Sequence, residues 1–414
     1  MNKDKHISQG YKDSPLGIIP KEWEVKKIGD FGKVVTGSTP PTNDLDNYGS
    51  SYKFVGPVDI SEKKYIGKTE KSLSKKGFSL SRCMPKGSVL FTCIGSTIGK
   101  CAIADEDLTS NQQINAVICN TEHNYDYLYY ELSHRSNRIR QIAAEQAVPI
   151  INKSTFENFK IICPPLSEQV KIANVISLWD IAIEKQSELI EKLTLRKRAL
   201  MQQLLTGKKR LPGFNGEWKR IKLGNIAERV TRKNEEDNKN VVTISAQRGF
   251  VVQTDFFNKS VASETLDNYF LVYKDEFCYN KSYSNGYPMG AIKRLNTFDK
   301  AVVTTLYICF RLKDKASTNI DFFEQYCESG IFNKELVKVA NEGGRAHGLL
   351  NVTPSDFFNM HMSIPNIDEQ NAIASVLVNA DKEIELANEK LVNLQSQKRG
   401  LMQQLLTGKK RVIE

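Results

Sequence analysis

The chain has 414 residues, a net charge of +10 and a pI near 9.0, which allows several domains and favours a polyanionic partner without specifying a fold. Its eight cysteines (Cys83, Cys93, Cys101, Cys119, Cys163, Cys278, Cys309 and Cys327) lack the two-residue spacing of metal knuckles, so free thiols in a reducing compartment are expected. No run of about eighteen apolar residues occurs and the start lacks an apolar stretch of secretory length, which together predict a soluble, cytoplasmic protein.

Residues 1–19 combine charge, Gly and Pro with little periodicity and read as a loosely ordered arm. From Trp23 to Cys163, the β-rich runs Tyr52-Lys-Phe-Val55, Ser88-Val-Leu-Phe-Thr92 and Ile114-Asn-Ala-Val-Ile-Cys119 are set apart by Gly, Pro and Asn. A helix is predicted over about 125–144, with Leu128, Leu132, Ile139 and Ile142 facing inward, and Phe159-Lys-Ile-Ile-Cys163 reads as a closing strand that Pro164-Pro165 ends.

Residues 167–206 contain neither Pro nor Gly; Ser167 is the expected N-cap and Gly207 the expected left-handed C-cap. Ile172, Ile176, Trp179, Ile183, Gln186, Ile190, Leu193, Lys197, Leu200 and Leu204 follow an unbroken four-three spacing, the seam of a coiled coil. Residues 218–364 are again β-rich and then helical. Val241-Val-Thr-Ile-Ser245, Glu276-Phe-Cys-Tyr279 and the long run Val302-Val-Thr-Thr-Leu-Tyr-Ile-Cys-Phe310 suit strands, residues 320–340 suit a helix interrupted by Gly330, and Met360-His-Met-Ser-Ile364 closes before Pro365. A second seam follows at Ile373, Leu377, Ala380, Ile384, Ala387, Leu391, Leu394, Lys398, Leu401 and Leu405, with Asp368 as its expected cap.

The two helices are copies. Leu-Met-Gln-Gln-Leu-Leu-Thr-Gly-Lys-Lys-Arg occurs at 200–210 and again at 401–411, and the likeness runs back at a constant offset of 201 residues through Glu168-Gln169 and Glu369-Gln370 to Pro164 and Pro365. Trp23-Glu-Val-Lys-Lys-Ile-Gly29 likewise resembles Trp218-Lys-Arg-Ile-Lys-Leu-Gly224. The predicted fold is therefore α+β: two mixed α/β domains separated by two long helices that form an antiparallel coiled coil, a pseudo-two-fold repeat. The boundaries are an arm at 1–19, domains at 20–164 and 212–365, and helical segments at 165–211 and 366–414. In the symmetric register, facing residue numbers sum to about 577, which brings Lys197 to Ala380-Asp381 and Lys398 to Trp179-Asp180. A helix from Ile172 to Leu204 spans roughly 50 Å, of the order of 15 base pairs of duplex DNA. The runs Lys208-Lys-Arg210 and Lys409-Lys-Arg411 would touch phosphates or complement the helix dipoles.

Enzymatic motifs are wanting. Gly95-Ser-Thr-Ile-Gly-Lys100-Cys101 has its first glycine one residue too close for a nucleotide-phosphate loop, and Cys101 stands where a magnesium-holding hydroxyl is needed. Cys163-Pro-Pro-Leu166 lacks the amide of a base-methylating tetrad, and the five histidines, His6, His123, His134, His347 and His361, show no metal-like spacing.

These residues resemble the DNA-specificity subunits of type I restriction-modification systems. The resemblance spans essentially the whole chain and rests on the doubled Pro-x-x-x-Glu-Gln opening of each long helix, the doubled Leu-Leu-Thr-Gly exit (204–207 and 405–408) and the two Trp openings. Thr36-Gly-Ser-Thr-Pro40, Gly95-Ser-Thr-Ile-Gly-Lys100, Asn111-Gln-Gln113, Asn280-Lys-Ser-Tyr283 and Gly344-Arg-Ala-His-Gly-Leu-Leu350 resemble phrases of target-recognition domains. The resemblance implies a non-catalytic subunit in which each domain binds one half of a bipartite, asymmetric DNA site. It implies two modification subunits carrying S-adenosylmethionine and two restriction subunits using ATP and magnesium, with no cofactor on this chain and the helices as docking surface. The alternative is a coiled-coil scaffold that binds no DNA. For reading DNA, the amides Gln112 and Gln113 suit adenine and the cations Arg248 and Arg345, the latter beside His347, suit guanine. Lys53, Lys100 and Lys281 suit phosphates, as do the hydroxyls of Ser96 and Thr97; Thr36, Ser38 and Ser282 are further DNA-binding candidates, and Tyr283 and Tyr287 suit sugars or a thymine methyl, or else the domain's own core.

Overall fold

A computed structural model describes residues 9–143, 149–253, 266–340 and 350–412. The chain divides into two compact units, Met1–Ser187 with Glu389–Glu414, and Glu188–Asn388.

In the first unit the elements are β1 (Glu24–Lys27), β2 (Gly32–Thr36), β3 (Tyr48–Val55), β4 (Lys71–Leu73), β5 (Val89–Thr92), β6 (Cys101–Ile103), β7 (Thr109–Ser110), β8 (Ile114–Cys119), α1 (Tyr125–Ala143), β9 (Lys160–Cys163) and the start of α2 (Leu166–Leu204). An antiparallel sheet in the order β2-β8-β5-β6 carries the unit. Both of its faces are covered, which is why β5 reads as a continuous apolar run rather than an alternating one. Val89 and Phe91 enter a core shared with Trp23, Tyr127, Ile172, Ile176 and Leu405. Leu90 enters a second core with Val55, Ile66 and Met84 under the smaller sheet β4-β3-β7.

The second unit repeats the plan with β10 (Lys219–Lys222), β11 (Ala227–Arg229), β12 (Val242–Ser245), β13 (Gly249–Val252), β14 (Phe270–Tyr273), β15 (Phe277–Asn280), β16 (Ala291–Arg294), β17 (Lys300–Val303), β18 (Ile308–Leu312), α3 (Ile320–Glu328), β19 (His361–Ile364) and the start of α4 (Ile367–Leu405). Its main sheet runs β11-β18-β15-β16, strand for strand the order of the first unit's sheet. Phe277, Phe310, Phe323 and Phe357 fill the core on one face together with Leu204, Ile373 and Leu377. The run expected as one strand at 302–310 is two. β17 pairs with β14 and β18 with β15, so the chain changes sheet through a turn at 304–307 closed by Tyr307 N–H donating to the Thr304 carbonyl at 3.3 Å. The helix expected over 320–340 breaks into α3 and a second helix, Asn333–Val339, at Gly330, whose φ of +74° suits a residue without Cβ.

Both long helices have 39 residues, and none of the expected seam positions is exposed. Their caps differ from expectation. Each helix starts at the residue after a strand-ending proline segment, so the cap falls before Ser167 and Asp368. The Pro165 carbonyl accepts from the N–H groups of Glu168 and Gln169, both at 2.9 Å, and the Asn366 side chain accepts from Glu369 N–H at 2.9 Å. Gly207 and Gly408 end the helices at φ of +68° and +71°. The pairing is antiparallel within each unit: in the first, Asp180 meets Lys398 and Glu168 meets Arg411; in the second, Lys197 meets Asp381 at 2.5 Å and Arg210 meets Glu369. Both seam lysines therefore find the aspartates the register assigned them. No helix among the described residues is long and apolar enough to cross a membrane.

Candidate nucleic-acid interface

The doubled Glu-Gln pair is the joint that holds each domain to the helices. In the first unit the buried Glu168 carboxylate accepts from Trp23 Nε1 at 2.8 Å and, with both oxygens, from Arg411 at 2.8 and 2.9 Å. In the second unit Glu369 accepts from Trp218 Nε1 at 3.3 Å and from both arms of Arg210. Each glutamine adds a second tie. Gln169 accepts from Asn124 N–H at 2.9 Å and donates to the Pro164 carbonyl at 2.8 Å; Gln370 does the same with Asn319 at 2.9 Å and Pro365 at 3.0 Å. A two-oxygen arginine pair fixes direction as well as distance, which accounts for Trp, Glu-Gln and the closing arginine recurring together. Arg210 and Arg411 are thus committed to the glutamate joints. The hydrogen bond to Glu168 raises the Arg411 pKa above its ordinary value despite partial burial.

With the frame fixed, the strand ends of each main sheet gather loops on one edge. In the first unit these are the segment after β2, the β5–β6 hairpin and the segment before β8, because Thr36 faces Asn115 and Thr92 faces Ile114. Thr36, Ser38, Ser96, Thr97, Lys100, Gln112 and Gln113 all fall there. Thr36 Oγ1 donates to Asn115 at 2.7 Å, and Ser38 Oγ accepts from Arg82 N–H at 2.9 Å. Thr39 donates to the exposed Gln112 Oε1 at 2.7 Å, leaving the Gln112 NH2 outward with no protein acceptor among the described residues. Gln113 accepts from Asn111 Nδ2 at 3.0 Å, and Lys100 reaches the Pro57 carbonyl at 3.4 Å. Lys53 does not join this edge. It lies between Asp105 at 2.6 Å and Glu106 at 3.2 Å; burial alone would lower its pKa, but the two carboxylates hold it above the ordinary lysine value.

The second unit brings together the equivalent β15–β16 hairpin, the β12–β13 turn and the 304–307 turn. Lys281, Ser282, Tyr283 and Tyr287 all belong to the hairpin, and Arg248 sits beside it because Gln247 Nε2 donates to the Asn285 carbonyl at 2.9 Å. The Arg248 guanidinium and the Lys281 ammonium have no carboxylate partner among the described residues. Tyr283 is 65% exposed, whereas Tyr287 is half-buried with its hydroxyl bonded to Glu328 at 2.9 Å. Arg345 and His347 lie outside the described residues. Arg232 is committed elsewhere: its hydrogen bonds to Glu276 raise its pKa, and its guanidinium stacks 3.8 Å from the Tyr273 ring.

Three residues at these edges escape sequence reasoning. Arg82 donates from Nη1 to the Thr36 carbonyl at 3.0 Å, yet its surroundings, Ser79-Leu-Ser-Arg-Cys83, carry no turn glycine or amide to draw notice. Val58 and Leu306 are 71% and 59% exposed in loops beside the candidate residues. Only strand order places them there. No group of three or more potential metal ligands occurs among the described residues. The arrangement offers amides, hydroxyls, cations and a few apolar side chains on loop edges, the chemistry that contacts phosphates and base edges.

Residues 20–195 match the family described as type I restriction modification DNA specificity domain. The chain is 36% identical to the MjaIX specificity subunit of Methanocaldococcus jannaschii over 45% of each protein, so that alignment spans less than half of the relative. It is 23% identical to the MjaVIII specificity subunit of the same organism over 98% of both chains. Among solved structures, the fold is similar to the type I restriction-modification S subunit from M. genitalium, with a TM-score of 0.55 and 16% identity, covering 93% of this chain and 96% of that one. A chain from a structure of type I restriction-modification complex assembly is similar with a TM-score of 0.56 and 13% identity, covering 95% of this chain and 99% of that one.

Proposed function

We propose that this chain, a type I restriction-modification DNA specificity protein by family, is the DNA-reading subunit of its complex and that each unit recognises one half of a bipartite, asymmetric site. The observation that carries the reading is the repeated sheet edge: one strand order, used twice, presents two different sets of amides, hydroxyls and cations. In the first unit the Gln112 amide and Arg82 supply base and backbone contacts, and in the second Arg248 and Lys281 supply unneutralised positive charge beside Tyr283. The helical residues between the domains set the length of unread spacer. Leu178 and Ile181 of α2, 66% and 54% exposed, provide an apolar face for modification subunits. S-adenosylmethionine, ATP and magnesium belong on two modification and two restriction subunits, with methyl transfer and cleavage performed there.

The test is to assemble the chain with its modification subunits, methylate random-sequence DNA and map the modified adenines. The expected result is a two-part sequence with a constant unread interval. Binding that is insensitive to salt, with no sequence-dependent methylation, would reject the proposal.

A further inference from the structure

Resting on that reading, we infer that the helix flanking each domain positions its reading hairpin, with Glu328 of α3 doing so in the second unit and Arg140 of α1 in the first. In the second unit the hairpin 281–290 is closed on itself and then tied down. Tyr287 N–H donates to the Ser284 carbonyl at 2.8 Å around Gly286, whose φ is +80°. The Tyr287 hydroxyl donates to Glu328 Oε2 at 2.9 Å and accepts from Lys293 Nζ at 3.1 Å, and Lys293 also donates to Glu328 Oε1 at 2.6 Å. Lys293 is buried, and its ammonium stands 4.6 Å from the Tyr287 ring centroid. One carboxylate on α3 therefore holds both the hairpin tyrosine and the β16 lysine beneath it. What remains outward is Tyr283, with the Lys281 and Arg248 cations beside it.

The first unit solves the same problem with different chemistry. The β5–β6 hairpin is held by Arg140, whose Nε and Nη2 both donate to the Ile98 carbonyl, at 2.9 and 2.7 Å. Neither pair lies in the long seams or the glutamate joints. Each connects a helix of the domain to the one hairpin that the repeated sheet order puts at the reading edge. A reader held within a fraction of an ångström loses little entropy on binding and rejects wrong bases more strongly.

The geometry makes each tie specific to one half of the site. In the assembled methylating complex, Tyr287→Phe and Glu328→Gln should each lower discrimination on the order of tenfold at the half-site read by the second unit. Arg140→Gln should do so only at the other half. Methylation rates on libraries randomised in one half at a time give the readout, with thermal unfolding as a check that the variants fold. Tyr287→Phe keeps the Lys293–Glu328 pair and guards against loss of folding in Glu328→Gln. Equal loss at both halves, or unchanged discrimination in folded Tyr287→Phe and Arg140→Gln, overturns the positioning role. Arg248→Ala and Tyr283→Ala separate the two failures. If these weaken binding while Tyr287→Phe does not alter discrimination, the positioning role falls alone; if none of Arg248→Ala, Tyr283→Ala and Tyr287→Phe has any effect, DNA reading by this edge falls with it.

Discussion

The two units share a frame at the level of single atoms and differ at the edge that faces outward. In the frame, Trp23, Glu168 and Arg411 correspond to Trp218, Glu369 and Arg210, and Asn124 with Gln169 corresponds to Asn319 with Gln370. Even where residue types diverge the role is kept: Tyr130 and Gln325 occupy equivalent places on α1 and α3, and each bonds the aspartate that takes the seam lysine, Asp180 or Asp381. At the edge proposed to read DNA, strand order is what the described residues keep. A buried carboxylate must stay paired, so substitutions there are costly, whereas a solvated loop can change freely.

The sharpest way to break this comparison is to unpair a joint. Glu369→Ala should lower stability in denaturant unfolding by removing the shared acceptor of Arg210 and Trp218 Nε1. Glu168→Ala should act comparably on the first unit, and a large asymmetry between the two would show that the joints are not equivalent. Next come the seam pairs. A double-mutant cycle with Lys197→Met and Asp381→Leu should return a coupling of about 1–2 kcal/mol, with a similar value for Lys398 and Asp180; additive effects would mean these contacts only accompany the register. Smaller again is the electrostatic contrast between the edges. Removing Arg248 and Lys281 together should reduce the salt dependence of DNA binding by about two counterions, whereas Lys53→Ala, whose charge is already neutralised by Asp105 and Glu106, should leave the slope nearly unchanged.

Sequence periodicity revealed the frame because a heptad seam depends on residue spacing alone. It gave both helices, the antiparallel register and the partners of Lys197 and Lys398 to within one residue. The caps fall earlier than Ser167 and Asp368 because each helix begins right behind its proline segment, at Leu166 after Pro165 and at Ile367 after Asn366. The joint could not be read, since Arg411 and Glu168 are separated by 243 positions and nothing local marks them as a pair. At the reading edge, Ser96, Thr97, Lys100, Lys281 and Tyr283 stood out by residue type. That their hairpins are equivalent emerged only from strand order, since 93–100 and 281–290 share no sequence likeness. Arg82 and Leu306 were silent for the same reason, and Tyr287 changed from an outward candidate to part of the support because its hydroxyl partner, Glu328, is 41 residues away.

The central claim is that one frame carries two independent readers. The most direct measurement replaces residues 23–163 with the corresponding domain of a relative, assembles the complex and maps methylated adenines in the product DNA. One half of the recognised sequence should change while the other half is retained. A change in both halves would contradict it.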